Sequence, residues 1–537
     1  MTSPETDEFA RVLDAGAEPP APVHREPRGS RIDDWWNSLV STPGRRRLWA
    51  WGGPAIVTLI AALTRLVGLG HPSSLVFDET FYVKDSWSLW NLGYSSTWPA
   101  EADDSVNAGN LDIYQDGASF VVHPPLGKWI IGLGMHLFGP DSATSWRITT
   151  AIVGVLAVVL LMVIARILFH STLLASLAGL LFAIDGNAIV MSRVALLDNS
   201  VMFFALLGFL FILLDRGWSE RRLELWLKRR TDAGRRTDLG PALWWRPWLI
   251  AAAVAFGLTA GVKWSGLYFL AGFAVYTLVV DALARRRAGI MFWGTGTLLK
   301  QAPVSFLLTV PVALVAYLLT WTSWFLSENS YDRQWATEGD NAWTGPLSVV
   351  PHSLQSFFHY QQSVYNYHVG EMRPHPYQAN PLTWLFLVRP TSMYWHSTDA
   401  GAEQITGLAN PLIWWAATAA VFYLVYRLIR YREWRVGLIL MGVAAGYLPW
   451  LMYLHRTVFQ FYTIAFEPYL ILALTMAIGI LLGSKRDPRS KRTSSIRYVA
   501  VFIGLAVLLS LYFLPVWTAQ QWPIEFVRSH WWLPGWR

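Results

Sequence analysis

Eleven apolar segments, each about as long as a helix needs to cross a bilayer, occupy most of the chain. A helix requires roughly 20 mainly apolar residues to span the hydrocarbon core. Of the 537 residues, 53% are hydrophobic and only 15% are charged. This pattern predicts an all-α polytopic membrane protein. The segments fall at residues 52–70, 147–169, 172–190, 199–215, 247–262, 264–283, 302–325, 410–429, 435–453, 460–483 and 497–517.

The basic residues indicate how the chain is threaded. Lys and Arg are enriched in cytoplasmic loops. With eleven crossings, the N-terminal tail and the loops on its side of the membrane hold 31 of the 43 Lys and Arg. The opposite side holds 11, and Arg65 lies inside the first segment. We therefore expect a multi-pass protein of the plasma membrane with a cytoplasmic N-terminus and an external C-terminus.

One further apolar stretch, residues 125–138, is too short to span a bilayer. If it crossed, the basic loop 216–246 would move to the side opposite Arg45, Arg46 and Arg47. We predict instead an interfacial helix within an external loop, residues 71–146.

The remaining segments complete the predicted organisation. Residues 1–50 are rich in Pro and charged residues, which predicts a disordered cytoplasmic tail. A transmembrane catalytic domain is expected over residues 51–520, with a second external loop at 326–409, and residues 521–537 are expected to form an external C-terminal tail.

Composition excludes several kinds of chemistry. The chain has no Cys, so disulfides, thiolate metal sites and cysteine nucleophiles are excluded. The net charge of +7 comes from short loops that set topology, so a nucleic-acid partner is not expected. No Gly-rich phosphate loop and no close His, Asp and Glu spacing is present. No metal site or cofactor is therefore predicted, and a requirement for a divalent cation is left open.

The adjacent carboxylates Asp78 and Glu79 are the best candidates for catalysis. Phe77 and Phe81 flank them and would draw them toward an apolar wall, which raises a carboxylate pKa toward that of a useful general base. The alternative is a solvated pair in a surface loop.

Several cations and polar groups share the predicted external surface with this pair. Cations that converge near one surface would suit a phosphate. The alternative is that each is a topological anchor or a snorkelling side chain. The candidates for donor phosphate or substrate binding are Arg147, Lys263, Arg193, Arg456, His123, Asp198 and His455.

Five short motifs, in order and over most of the chain from about residue 50 to 470, resemble the protein O-mannosyltransferases. They are Phe77–Tyr82 (FDETFY), His123–Lys128 (HPPLGK), Arg193–Asp198 (RVALLD), Lys263–Gly266 (KWSG) and His375–Tyr377 (HPY).

The resemblance implies a GT-C type fold and transfer of mannose, with inversion, from a polyprenyl-phosphate carrier to Ser or Thr hydroxyls of exported proteins. It implies that Asp78 and Glu79 carry base chemistry and acceptor binding, and that Arg147 serves the active site. Asp78 is expected to be the base and Glu79 to orient it or bind the acceptor. The secretion translocon is left open as a partner.

The chain departs from eukaryotic members of the family in one respect. Their large external loop holds a β-trefoil-like MIR domain, whereas loop 326–409 is too short to contain one. The chain therefore resembles the bacterial, actinobacterial branch.

Two other functions remain open on the sequence. One is a GT-C transferase that uses the same kind of donor to modify a lipid or cell-wall glycan. The other is a transporter, which would show internal repeats and polar groups near the bilayer midplane. No repeat is evident, and the polar groups crowd one surface.

Overall fold

The computed structural model describes residues 28–537, so the first 27 residues of the predicted tail lie outside the described part. Helices dominate this part of the chain. They are α1 (Arg31–Leu39), α2 (Pro43–Leu66), α3 (Glu79–Leu92), α4 (Ala102–Asn107), α5 (Leu126–Phe138), α6 (Ala143–Phe169), α7 (Thr172–Ala183), α8 (Gly186–Arg193), α9 (Asp198–Asp232), α10 (Pro247–Val262), α11 (Gly266–Arg287), α12 (Trp293–Gly296), α13 (Ala302–Thr320), α14 (Thr322–Leu326), α15 (His352–Gly370), α16 (Pro411–Tyr431), α17 (Trp434–Tyr447), α18 (Glu467–Leu482), α19 (Arg489–Trp517) and α20 (Ile524–Arg528).

A π-helical turn, Thr297–Gln301, joins α12 to α13. Short 3₁₀ helices cover Trp335–Thr337, Gly345–Val349, Pro381–Phe386, Leu448–Met452, Gln460–Ala465 and Pro534–Trp536.

All eleven predicted apolar segments are helical in the structure. Among residues 28–537, eight helices are long and apolar enough to cross a membrane, or nine if α7 and α8, bent by 62°, form one span. The other two segments are α10 and α18, of 16 residues each. The polytopic helical fold is confirmed, and the number of eleven crossings stays a prediction.

Helix α5 is the short apolar stretch that was predicted not to span, and it has 13 residues. It packs between α3 and α6. Gly132 permits this contact, because a Cβ there would lie 2.0 Å from the ring of Trp90. Helix α5 therefore braces the element that begins at Glu79.

The predicted disordered tail is wrong for residues 31–50. Ser30 caps α1 in a capping box, and Arg492 donates to Asp33 from Nε at 3.0 Å. The partner of Asp33 is 459 residues away in sequence, so local composition gave no sign of it. The contact places the start of the described chain against the first turn of α19.

The loop 326–409, predicted to be external, is folded. Within residues 326–409, all of which the structure describes, the strands are a single hairpin, β1 (Thr391–Thr398) paired with β2 (Gly401–Gly407). A β-trefoil is therefore absent from this loop. The sequence did not predict the hairpin. The C-terminal tail packs against it, with Trp531 Nε1 donating to Gln404 Oε1 at 3.2 Å.

Candidate functional site

Two adjoining chambers lie where the polar motifs meet. The first, the Asp78 chamber, has a volume of about 580 Å³. The second, the Lys263 chamber, has a volume of about 340 Å³. Both are lined by the same four residues, His123, His368, Arg456 and Tyr462. The two chambers therefore adjoin at these four residues.

The Asp78 carboxylate faces its chamber without a partner. Asp78 directly precedes α3, but its side chain does not cap that helix. Within residues 28–537 it makes no hydrogen bond or ion pair. Burial raises the pKa of Asp78 to about 6, with Lys263 opposing the rise and Asp198 adding to it. A carboxylate with this pKa can accept a proton near neutral pH.

Glu79 is fully buried and bound on all sides, although it is the next residue. Its Oε1 accepts from Arg147 Nε and from the Ala195 amide, both at 2.8 Å. Its Oε2 accepts from Arg147 Nη2 at 2.7 Å and from the Val76 amide at 2.8 Å. Four charge-assisted hydrogen bonds leave this carboxylate with no surface for an acceptor.

The turn at Phe77 sends the two carboxylates in different directions. Phe77 has φ of 51°, a left-handed conformation that is strained for an aromatic residue. Such strain costs on the order of 1–3 kcal/mol and persists only where the surroundings enforce it. The ring is held edge-on by three others, those of His375, Phe459 and Phe461.

Arg147 has no N–H left for a phosphate. Besides two bonds to Glu79, its guanidinium donates to the carbonyls of Leu69 (3.3 Å), Pro72 (2.7 Å) and Ser74 (2.9 Å). These five bonds use all five donors, and the residue is 1% exposed. The predicted contact between Arg147 and the donor phosphate is therefore corrected: in this structure Arg147 holds the loop that carries Asp78.

Arg193 is likewise removed from the predicted phosphate site. Its guanidinium donates to Val67 O and Gly68 O, both at 2.7 Å, and more weakly to Thr64 O and Arg65 O. It therefore satisfies carbonyls at the C-terminal end of α2, where they lack intrahelical partners.

His455 is exposed and lies outside the lining of both chambers, so the structure does not support its predicted place in the site. Its neighbour Arg456 lines them both.

Lys263 and Asp198 lie together in the Lys263 chamber. Lys263 Nζ and Asp198 Oδ2 are 2.7 Å apart, and both residues are nearly buried. Lys263 also lies 5.0 Å from the ring centre of Tyr462. Aromatic and aliphatic side chains form most of the wall: Trp264, Leu267, Tyr268, Val369, Trp450 and Tyr453.

Arg456 is the cation best placed for a ligand. Its Nη2 donates to His368 Nδ1 at 3.0 Å, and its buried Nε has no hydrogen-bond partner in the described part of the chain. No carboxylate of residues 28–537 lies within 4.0 Å of it. Arg456 therefore brings an uncompensated positive charge to the junction of the chambers.

His368 positions Arg456 and was missed by the sequence analysis. Its Nε2 lies 2.7 Å from Val122 O, which only accepts, so Nε2 carries the proton and Nδ1 accepts from Arg456. Burial, with help from Arg456, lowers the pKa of His368 to about 4, so the ring is neutral. His368 belongs to none of the five motifs, so the sequence gave no signal for it.

His123 stacks on His368 with ring centres 5.1 Å apart. Burial and the charge of Lys263 hold the pKa of His123 well below its ordinary value. Its buried Nδ1 has no partner among the described residues. His123 thus offers a neutral hydrogen-bonding atom at the wall that both chambers share.

The lining of the Asp78 chamber includes an ion pair that was not among the predicted site residues. Lys128 Nζ lies 3.5 Å from Asp85 Oδ2, and both residues line the chamber. Lys128 belongs to the HPPLGK motif, which was a usable signal.

Among residues 28–537, no group of three or more His, Cys, Asp or Glu is arranged to hold a metal ion. The cofactor expectation stays a prediction.

Comparisons with known proteins agree on one family. Residues 353–536 match the model of the C-terminal four-transmembrane region of protein O-mannosyltransferases. Residues 122–228 match the dolichyl-phosphate-mannose-protein mannosyltransferase model.

Full-length relatives have the same family name. A polyprenol-phosphate-mannose–protein mannosyltransferase of Mycolicibacterium smegmatis is 31% identical, with both chains covered completely. Its counterpart in Corynebacterium glutamicum is 31% identical over 90% of this chain and 93% of the relative.

The fold agrees as well. The structure of the Saccharomyces cerevisiae protein O-mannosyltransferase Pmt1–Pmt2 complex bound to the sugar donor aligns with a TM-score of 0.67 at 15% identity, covering 96% of each chain. The fold is thus of the GT-C type, and this chain belongs to the protein O-mannosyltransferase family, in the branch found in mycobacteria and corynebacteria.

Proposed function

We propose that the protein transfers mannose from polyprenyl-phosphate mannose to Ser or Thr hydroxyls of exported proteins, with inversion at the anomeric carbon. The observation that carries the proposal is the unpaired Asp78 carboxylate beside a largely apolar chamber that contains Lys263 and Arg456. A lipid-linked sugar phosphate needs an apolar wall for its isoprenoid chain and cations for its phosphate. The names of the full-length relatives support the same donor and a protein acceptor.

The proposed step uses the two chambers together. The acceptor hydroxyl enters the Asp78 chamber, its oxygen bonds to the anomeric carbon, and its proton passes to Asp78. The bond from the anomeric carbon to the phosphate oxygen breaks, and polyprenyl phosphate departs with that electron pair. Arg456 and Lys263 stabilise the charge that develops on the phosphate. His123 Nδ1 hydrogen-bonds the substrate where the chambers meet.

Glu79 and Arg147 act indirectly in this proposal. Their buried pair fixes the turn that begins at Leu69 and ends at Asp78, so the base keeps its orientation. The site is placed on the external face of the plasma membrane, as the basic-residue distribution predicts, with exported proteins as acceptors and the translocon left open as a partner.

The acceptor is tested by adding labelled polyprenyl-phosphate mannose to the purified protein with a Thr-rich peptide and with membrane lipid. We expect label in the peptide, and none when the Asp78→Asn variant replaces the native protein. Label in lipid alone would favour the alternative GT-C transferase. Label in neither product would contradict both transferase functions.

The two adjacent carboxylates should respond differently to isosteric substitution. Asp78→Asn keeps the shape of the side chain but cannot accept a proton, so transfer should fall at least about a hundredfold with an unchanged melting temperature. Glu79→Gln weakens a buried bidentate pair, so it should lower the melting temperature as well as activity. Peptide mannosylation measures the transfer activity, and thermal unfolding in detergent measures the melting temperature. An active Asp78→Asn variant would remove Asp78 from the base role.

The pH profile should follow the ionisation of Asp78. Because the base acts as the carboxylate, kcat/KM should rise with pH through about 6 and fall below it. His368 stays neutral near pH 6, so its ionisation does not change kcat/KM in this range. Asp198→Asn should move the midpoint to lower pH, since Asp198 raises the pKa of Asp78. A midpoint unchanged in that variant, or a flat profile, would contradict the assignment.

Alanine substitutions should distinguish the arginines that stabilise the fold from the arginine proposed to bind the phosphate. Arg456→Ala should lower kcat on the order of a hundredfold with little loss of thermal stability. Arg147→Ala should destabilise the fold by about 3–5 kcal/mol because it strands the buried Glu79 carboxylate.

Arg528→Ala is the control for these variants, since that side chain is 49% exposed and, among residues 28–537, forms an ion pair only with Glu525 three residues away. This variant should have the kcat and the melting temperature of the native protein. An Arg147→Ala variant with a native melting temperature but no activity would indicate that Arg147 binds the donor phosphate.

A further inference from the structure

Helix α15 carries two apolar faces, and the fold uses one of them. Phe357, Tyr360 and Val364 are buried on that face. Phe357 packs against Trp321 and Trp324 with ring centres 5.3 Å apart in each case. This contact fixes the helix on the protein and leaves the opposite face outward.

The outward face is an apolar stripe. Leu354, Phe358, Tyr365 and Val369 are 43%, 58%, 52% and 45% exposed. Their spacings of four, seven and four residues place them in one row along the helix. The 19 residues of α15 include no Asp, Glu, Lys or Arg. A helix face in contact with water alone would be expected to carry charge.

The position of α15 relative to the spans identifies what covers the stripe. Helix α13, which belongs to a membrane-length segment, ends at Thr320, and Trp321 follows at once. Because α15 packs on Trp321, it lies about one helix diameter, roughly 10 Å, from the point where a span ends. Trp at a span end marks the membrane–water interface. Nearby Leu347 and Val349, 58% and 84% exposed, extend the apolar surface.

The stripe also leads into the Lys263 chamber. Tyr365 and Val369, the last two members of the stripe, line that chamber. Leu267 lines it as well, and it is 48% exposed in the first turn of the membrane-length helix α11. The apolar surface therefore continues from the outside of α15 to the place proposed for the donor.

We infer that α15 lies in the headgroup boundary of the outer leaflet with its stripe in the lipid, and that its last turn borders the opening through which the donor's isoprenoid chain enters the Lys263 chamber. The location in the lipid follows from the contacts above, whereas the role toward the donor rests on the proposed function. An uncharged apolar row of this kind fits a lipid surface.

Fluorescence quenching tests the location, and the absence of native Cys allows single labels. Phe358→Cys and Asn366→Cys each receive an environment-sensitive dye, in vesicles of phosphatidylcholine that contain lipid with a shallow nitroxide quencher. Asn366 is the matched control, because it is exposed on the same helix at the edge of the stripe. We expect the dye at 358 to be quenched several-fold more than the dye at 366.

Other quenching results would overturn the inference. A dye at 358 that resists the lipid quencher but is reached by iodide would place the stripe in water. A dye shielded from both quenchers would indicate a protein contact in place of lipid.

A kinetic experiment tests the role toward the donor. The double variant Leu354→Glu with Phe358→Glu, neither residue lining a chamber, should raise KM for a long-chain polyprenyl-phosphate mannose about tenfold and leave kcat unchanged. KM for a short-chain, water-soluble donor should change little. Equal changes in KM for the two donors would contradict a role of α15 in the entry of the isoprenoid chain. The melting temperature of the double variant in detergent is the folding control and should equal that of the native protein.

The two experiments separate failure of this inference from failure of the proposed function. Quenching needs no turnover, so it reports the location of α15 even if no donor is used. Transfer of mannose to peptide without quenching at 358 would overturn this inference and leave the proposed function intact.

Discussion

The buried ion pair between Glu79 and Arg147 fixes the loop on which the site depends. The pair is bidentate, and the remaining donors of Arg147 bind three carbonyls of residues 69–74. Removing one partner of such a pair leaves an uncompensated buried charge, which costs about 3–5 kcal/mol. The strained backbone at Phe77 is tolerable because this network and three aromatic rings enforce it. Together they aim Asp78 into its chamber.

Neighbouring groups of the same kind therefore have different roles, which follow from their surroundings. Asp78 is unpaired and partly desolvated, which raises its pKa, whereas Glu79 accepts four hydrogen bonds. The arginines divide in the same way: Arg147 and Arg193 have carbonyl partners, while Arg456 has a neutral His and an unpaired Nε. A charged group that lacks partners inside a cavity is costly unless a ligand supplies them, which makes it the better candidate for chemistry.

The architecture joins this polar site to an apolar surface. The Lys263 chamber is walled mainly by aromatic and aliphatic side chains, and α15 closes one side of it through His368, Tyr365 and Val369. The same helix binds the chain just before His123, since Tyr360 donates to Val121 O and His368 to Val122 O, both at 2.7 Å. One helix of the segment 326–409 thus fixes the wall between the chambers and carries an exposed apolar stripe on its other face.

The sequence by itself determined the class of the fold and the region of the site. Hydropathy is a local property, so all eleven predicted apolar segments are helical in the structure, and the five motifs led to the family and to Asp78. Only the tertiary structure decided which charged side chains pair with one another. Glu79 and Arg147 are 68 residues apart, and Asp33 and Arg492 are 459 residues apart. Pairing over such separations leaves no local pattern, so the positions of Arg193 and His455, the order of residues 31–50 and the part played by His368 could not be predicted from the chain alone.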